Sequence, residues 1–254
     1  MSATVTVRNV VIGEGMPKIC VPLTGVTLSE LKQEAEAIKD ILPDLVEWRV
    51  DFYEQVEDMD AVVEALGAIR SILPELPLLF TFRSAKEGGQ KQVSEAYYTA
   101  LNKAAAESGL ADLVDVELFS GDEVISEIVA TAHACMVPVV ISNHDFNGTP
   151  PKEELVARLR RARELGADLP KIAVMPKHAS DVLTLLDATL TMKEQYADCP
   201  LITMSMSGEG AISRLAGEVF GSAVTFGSAG KPSAPGQIDA GELRKVLNLL
   251  HYGL

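Results

Sequence analysis

The chain has 254 residues, a hydrophobic fraction of 47% and a formal net charge of -14 at pH 7. An apolar content this high and this evenly spread excludes a disordered chain and suffices for a sizeable core. The acidic balance argues against nucleic acid or an anionic membrane as partner, and an anionic substrate would need cations placed close to it.

The elements recur as strand then helix. Residues 5–7 and 10–12, separated by Arg8-Asn9, read as a hairpin. A strand over 18–23 leads to a helix over 27–42, and 46–50 leads to 59–73. Strands at 78–82, 113–118 and 139–141 lead to helices at 93–107, 122–134 and 152–165. Strands at 172–175, 201–204 and 224–226 lead to helices at 179–196, 211–220 and 240–250. In the fifth helix Leu155, Leu159 and Ala162 share a face, with Pro150 and Pro151 at its start and Gly166 at its end. The strands are short and apolar, as buried parallel strands are. Eight such units predict an α/β fold, a (β/α)8 TIM barrel with an N-terminal β-hairpin, as one domain over 1–254. A doubly wound open sheet is the alternative, but no GxGxxG follows the first strand.

Cys20, Cys135 and Cys199 lack CxxC spacing and read as reduced thiols in a cytoplasmic protein. The first residues alternate polar and apolar without a basic start, so no signal peptide is expected. No apolar stretch reaches the ~18 residues of a membrane helix.

In a barrel of this kind chemistry sits at the C-terminal strand ends. Arg83, His144, Arg214, Ser233 and Gln237 fall there. Glu47, Arg49 and Asp51 share parity on the second strand, so all three are expected to point into the barrel. Lys171 opens its strand, at the end opposite to the chemistry, although its long side chain can rise through the interior. Burial and neighbouring arginines disfavour a charged lysine, and a neutral amine attacks a carbonyl to form a Schiff base. The iminium acidifies the adjacent C–H, and a histidine on the next strand serves as base and then acid. Singly, a strand-edge lysine snorkels to solvent and a loop histidine caps a helix. Arg49, Arg83 and Arg214 on one face read together as clamps for an anion. His133, His178 and His251 show no metal-ligand spacing, and no metal is expected.

Seven segments resemble type I 3-dehydroquinate dehydratase. They are Glu47-Trp-Arg-Val-Asp51, Thr81-Phe-Arg-Ser-Ala-Lys-Glu-Gly-Gly89, Ser142-Asn-His-Asp-Phe146, Lys171-Ile-Ala-Val-Met-Pro176, Met204-Ser-Met-Ser-Gly208, Ile212-Ser-Arg-Leu-Ala-Gly217 and Ser233-Ala-Pro-Gly-Gln237. They occur in order across about residues 17–251. The resemblance implies a cofactor-free, homodimeric barrel lyase of the shikimate pathway, serving chorismate and aromatic amino acid biosynthesis. It implies 3-dehydroquinate as substrate and 3-dehydroshikimate plus water as products. It makes Lys171 the Schiff-base lysine, His144 the proton-transfer group and Glu87 its orienting partner. It makes Arg214 the carboxylate site, places Glu47, Arg49 and Arg83 around the ring hydroxyls, and sets Ser233 and Gln237 on a closing loop. Unaided, Glu87 reads as an exposed loop acid. The rival readings are another Schiff-base lyase of the class I aldolase type, and a non-catalytic barrel that binds an anionic polyol.

Overall fold

The structure is a computed structural model and describes residues 4–196, 198–230 and 233–254. Strands β1 (Val5–Val7) and β2 (Val10–Ile12) form the hairpin, with Val5 opposite Ile12. The strand–helix series follows as β3 (Lys18–Leu23), α1 (Leu28–Ile41), β4 (Leu45–Arg49), α2 (Met59–Ile72), β5 (Leu78–Thr81), α3 (Glu95–Glu107), β6 (Leu113–Glu117) and α4 (Asp122–Ala134). It continues as β7 (Val139–Asp145), α5 (Lys152–Glu164), β8 (Leu169–Val174), α6 (Ala179–Thr191), β9 (Ile202–Ser205), α7 (Ala211–Leu215), α8 (Gly217–Phe220), β10 (Val224–Ser228), β11 (Ile238–Asp239) and α9 (Ala240–His251). Strands β3 to β10 pair in parallel, with β10 beside β3. The ring closes between β9 and β10 at the Leu201–Ser222 bridge. This is a (β/α)8 barrel with a hairpin at its N-terminal end.

The period-2 alternation of each strand separates two cores. Trp48, Phe80, Val116 and Ile141 pack outward against the helices. Leu45, Leu79, Leu113, Val140 and Leu169 pack inward, with Val7 and Ile12 of the hairpin in the same cluster. The hairpin therefore plugs one end of the barrel and keeps water from entering there. Three aspartates brace the foot. Asp44, Asp112 and Asp168 each precede a leucine that opens β4, β6 or β8, and each accepts a backbone N–H from the neighbouring strand, from Ile19 (2.7 Å), Leu78 (2.9 Å) and Val139 (2.8 Å).

Above the apolar floor the inward positions turn polar. Thr81 is registered with Asp115, and Ser142 with Lys171. This layer explains where the strand limits differ from expectation. β8 begins at Leu169, because Pro170 and Lys171 continue the ladder with β7 although both residue types weaken a strand signal. Lys171 is thus mid-strand. β7 runs on to Asp145, since Asp145 still pairs with Val174 after the apolar run has ended. The helix expected over 211–220 breaks at Ala216 into α7 and α8, and the one expected over 179–196 ends its α-helical part at Thr191 and continues as one π turn, Met192–Tyr196. Strand β11 was not legible, being two residues in a Gly/Pro-rich loop; it pairs beside Gly227 and Ser228 of β10.

Candidate active site

A cavity of about 110 Å³ opens at the C-terminal mouth of the barrel. At ~10–15 Å³ per water position it has room for on the order of ten waters, the scale of a small ring. Its lining includes Lys171, His144, Glu87, Glu47, Arg49, Arg83, Arg214, Ser233 and Gln237, together with Met204, Met206 and Phe226. All of the sequence-derived candidates except Asp51 therefore face one space.

Lys171 lies near the bottom of this space. Its Nζ is 3.4 Å from Asp115 Oδ2, 3.7 Å from Glu47 Oε1 and 4.5 Å from the Phe226 ring centroid. The nearest charges are carboxylates, where arginines were expected. His144 is paired with Ala173, two residues further along the ladder than Lys171. At ~3.3 Å per residue it stands about 7 Å further along the strand direction. Lys171 and His144 line the same cavity, and the Lys171 charge acts on the imidazole, so the lysine reaches the site from low on its strand.

Glu87 is delivered by a tight loop. Ala85–Glu87 form one 3-10 turn, Gly88 follows in the left-handed region (φ 84°), and a Cβ on Gly89 would meet Arg83 O at 1.8 Å. The fold-back buries Glu87, correcting its unaided reading as an exposed acid. Its Oε2 accepts the His144 backbone N–H at 2.8 Å and faces His144 Nδ1 at 3.0 Å. Burial pushes Glu87 up to about 7, against the pull of Arg83 and of the donors from His144 and Asn143. Burial, and after it the charges of Arg83, Lys171 and Arg49, hold the His144 imidazole well below its ordinary value. His144 is therefore neutral at neutral pH, with Nδ1–H toward Glu87 and Nε2 left as a base.

The three arginines are not equivalent. Arg83 donates to Asp115 (2.7 Å) and Glu117 (3.0 Å) and lies 3.7 Å from Glu87. Arg49 donates through Nε and Nη2 to the two oxygens of Asp51 at 2.8 and 2.9 Å. Asp51 itself sits on the 3-10 turn Val50–Phe52 after β4 and does not line the cavity, contrary to the parity argument. Arg214 has no carboxylate partner among the described residues. It is 1% exposed, donates to Pro235 O at 3.1 Å and approaches Met204 Sδ at 3.6 Å, and its Nε is buried without a partner. Burial alone pushes its guanidinium down to about 10.

The loop after β10 closes one side. Ser233 N–H donates to Gln237 Oε1 (2.7 Å), and Gln237 Nε2 donates to Ser233 Oγ (3.0 Å). Gly236, at φ 75°, passes so close to Ser207 that a Cβ would lie 2.1 Å from its carbonyl oxygen.

Asp115 joins the site without being among the residues singled out from sequence. It is fully buried and accepts from Ser142, Arg83 and Lys171. Burial opposes its charge, yet Arg83, Lys171 and Ser142 hold it below the usual carboxylate range. The signal was available in Leu113-Val-Asp-Val-Glu117, where both acids share the inward parity. Among the described residues no cluster of three His, Cys, Asp or Glu is placed to hold a metal ion, and no helix is long and apolar enough to cross a membrane.

A closed parallel barrel with an amine, a neutral imidazole and an unpaired guanidinium gathered at its C-terminal mouth defines a (β/α)8-barrel enzyme. Residues 19–253 match the family model described as Type I 3-dehydroquinase. The chain is 64% identical over 249 residues to the 3-dehydroquinate dehydratase of Syntrophotalea carbinolica, covering 98% of each. It is 59% identical over 254 residues to that of Bacillus licheniformis, covering 100% of each. A crystal structure of the type I enzyme from Clostridium difficile, described with covalently modified comenic acid, superposes with a TM-score of 0.98 at 59% identity and covers 100% of both chains. The chain belongs to the type I 3-dehydroquinase family.

Proposed function

We propose that this chain removes water from 3-dehydroquinate to give 3-dehydroshikimate, through an imine on Lys171. The observation that carries the reading is Arg214, a buried cation without a counter-ion among the described residues, lining the same cavity as an amine and a neutral imidazole. A ring bearing a carboxylate and a ketone supplies what each of these groups lacks.

Arg214 takes the substrate carboxylate. Lys171 passes one proton to Glu47, 3.7 Å away, and attacks the ketone carbon as the amine; that proton and a second from the nitrogen leave with the former carbonyl oxygen as water, and the iminium remains. His144 Nε2 removes the proton beside the iminium carbon, whose C–H electrons move into the iminium to form an enamine. The enamine electrons then expel the β-hydroxyl, which takes the proton from His144 and departs as water. Hydrolysis of the product imine restores the amine. Glu87 orients the imidazole and balances its transient charge. Arg49, with Nε and Nη2 held by Asp51, offers Nη1 to a ring hydroxyl. Glu47 and Arg83 shape the lower wall, and Ser233 and Gln237 complete the upper one. The same proposal takes the chain as one domain, acting without a cofactor, in the cytoplasm and as a homodimer. That the related Clostridium difficile structure is described with covalently modified comenic acid supports the covalent reading.

The test is to incubate the protein with 3-dehydroquinate and follow the absorbance of the conjugated enone with product mass. A rising signal at substrate mass less one water is expected. Two carbon fragments would indicate an aldolase, and a flat trace from folded protein would remove the enzymatic reading.

Arg214→Gln separates binding from stability. A charge-assisted bond to carboxylate contributes about 1.5–3 kcal/mol, so KM should rise about 10- to 150-fold with a smaller change in kcat. Removing an uncompensated buried cation should leave the melting temperature equal or higher. An unchanged KM rules out the carboxylate role.

A further inference from the structure

We propose that Arg158, on helix α5 outside the barrel, is a positioning residue for His144, acting through Asn143 and Glu87. The inference rests on His144 being the base. It begins from an asymmetry at Glu87. Both contacts of His144 fall on Oε2, while Oε1 faces Asn143 Nδ2 at 3.4 Å. The Asn143 amide therefore decides how the carboxylate is turned. It does so only if its nitrogen, and not its oxygen, faces Glu87.

An amide is nearly symmetric in shape, so packing does not choose between the two orientations. Arg158 makes the choice. Its Nη1 donates to Asn143 Oδ1 at 2.9 Å, and a guanidinium has no acceptor to offer. With Oδ1 committed to Arg158, the N–H groups point to Glu87. The reverse orientation would set a carbonyl oxygen against a carboxylate and amide hydrogens against a guanidinium. Arg158 is itself held by Glu154 (2.8 Å) and Asp145 (3.2 Å), with its guanidinium 5.5 Å from the centroid of the Phe119 ring. Neither Arg158 nor Asn143 lines the cavity.

The charges facing the pair fix the sign. Arg83 and Glu117 face Glu87, and Arg83, Lys171 and Arg49 face His144. Loss of the Asn143 donor makes Glu87 easier to protonate, so the acid limb of kcat moves to higher pH. One modest hydrogen bond corresponds to a shift of about half a unit to one unit.

The experiment is the pH profile of kcat and of KM for wild type, Arg158→Met, Asn143→Ala and the double variant. Methionine keeps an apolar stem beside Phe119 and removes every donor. The expected result is the same upward shift in each single variant, no further shift in the double variant, and KM unchanged. A limb that stays in place in Arg158→Met overturns the proposal, as do two shifts that add. Should Arg158→Met fail to fold, Asn143→Ala decides alone, and an unmoved limb there also overturns it. Wild-type protein that does not turn over 3-dehydroquinate would instead remove the underlying reading.

Discussion

Lys171→Met should reduce turnover of 3-dehydroquinate by about 10⁴-fold or more, because no other amine lines the cavity among the described residues. Methionine has similar length and retains contact with the Phe226 ring, so the barrel should still form. Asp115 keeps Arg83 and Ser142 as partners, which limits the cost of losing the ammonium. A loss of about 1–3 kcal/mol corresponds to a melting temperature lower by roughly 2–12 °C in a chain of this size. Steady-state rates with a thermal melt check both parts. A folded variant with normal turnover would remove the covalent mechanism.

His144→Asn should lower kcat by about 10²- to 10⁴-fold, the usual contribution of a positioned proton-transfer group. The amine is intact in this variant, so an imine still forms and accumulates. The wild-type pH profile follows from the Glu87–His144 pair. Burial raises Glu87 to about 7, and burial with nearby cations lowers His144, so the pair takes up its shared proton as pH falls through about 7. That proton disables the base, and kcat should therefore fall on the acid side. A rate independent of pH between 5 and 8 in wild type, or an unaffected kcat in His144→Asn, contradicts this assignment.

The barrel was legible because short apolar runs recur along the chain and helical periodicity separates them. The hairpin and β3 fall where the alternation predicts them. The limits failed where chemistry interrupts hydrophobicity. Ser142-Asn-His-Asp145 looks like a loop yet extends β7, and Pro170-Lys171 looks like a strand boundary yet lies inside β8. Strand-end arginines were visible as a set, but not their division of labour. Whether an arginine is committed to acids or left for a ligand depends on Asp51, Asp115 and Glu117, which reach it only in three dimensions. Glu87 was invisible without the resemblance, because a loop of Lys, Glu and Gly carries no sign that it folds back over the barrel. The Arg158–Asn143 contact was hidden for the same reason: it joins a helix surface to a strand's outer face.

The mechanism depends on a covalent bond between Lys171 and the substrate ketone. Borohydride reduction of the protein in the presence of 3-dehydroquinate, read by peptide mass spectrometry, tests it most directly. A ring-derived secondary amine is expected on the peptide containing Lys171, absent in Lys171→Met and present in His144→Asn. An unmodified Lys171 in protein that still releases the enone, or an adduct on a different lysine, would contradict it.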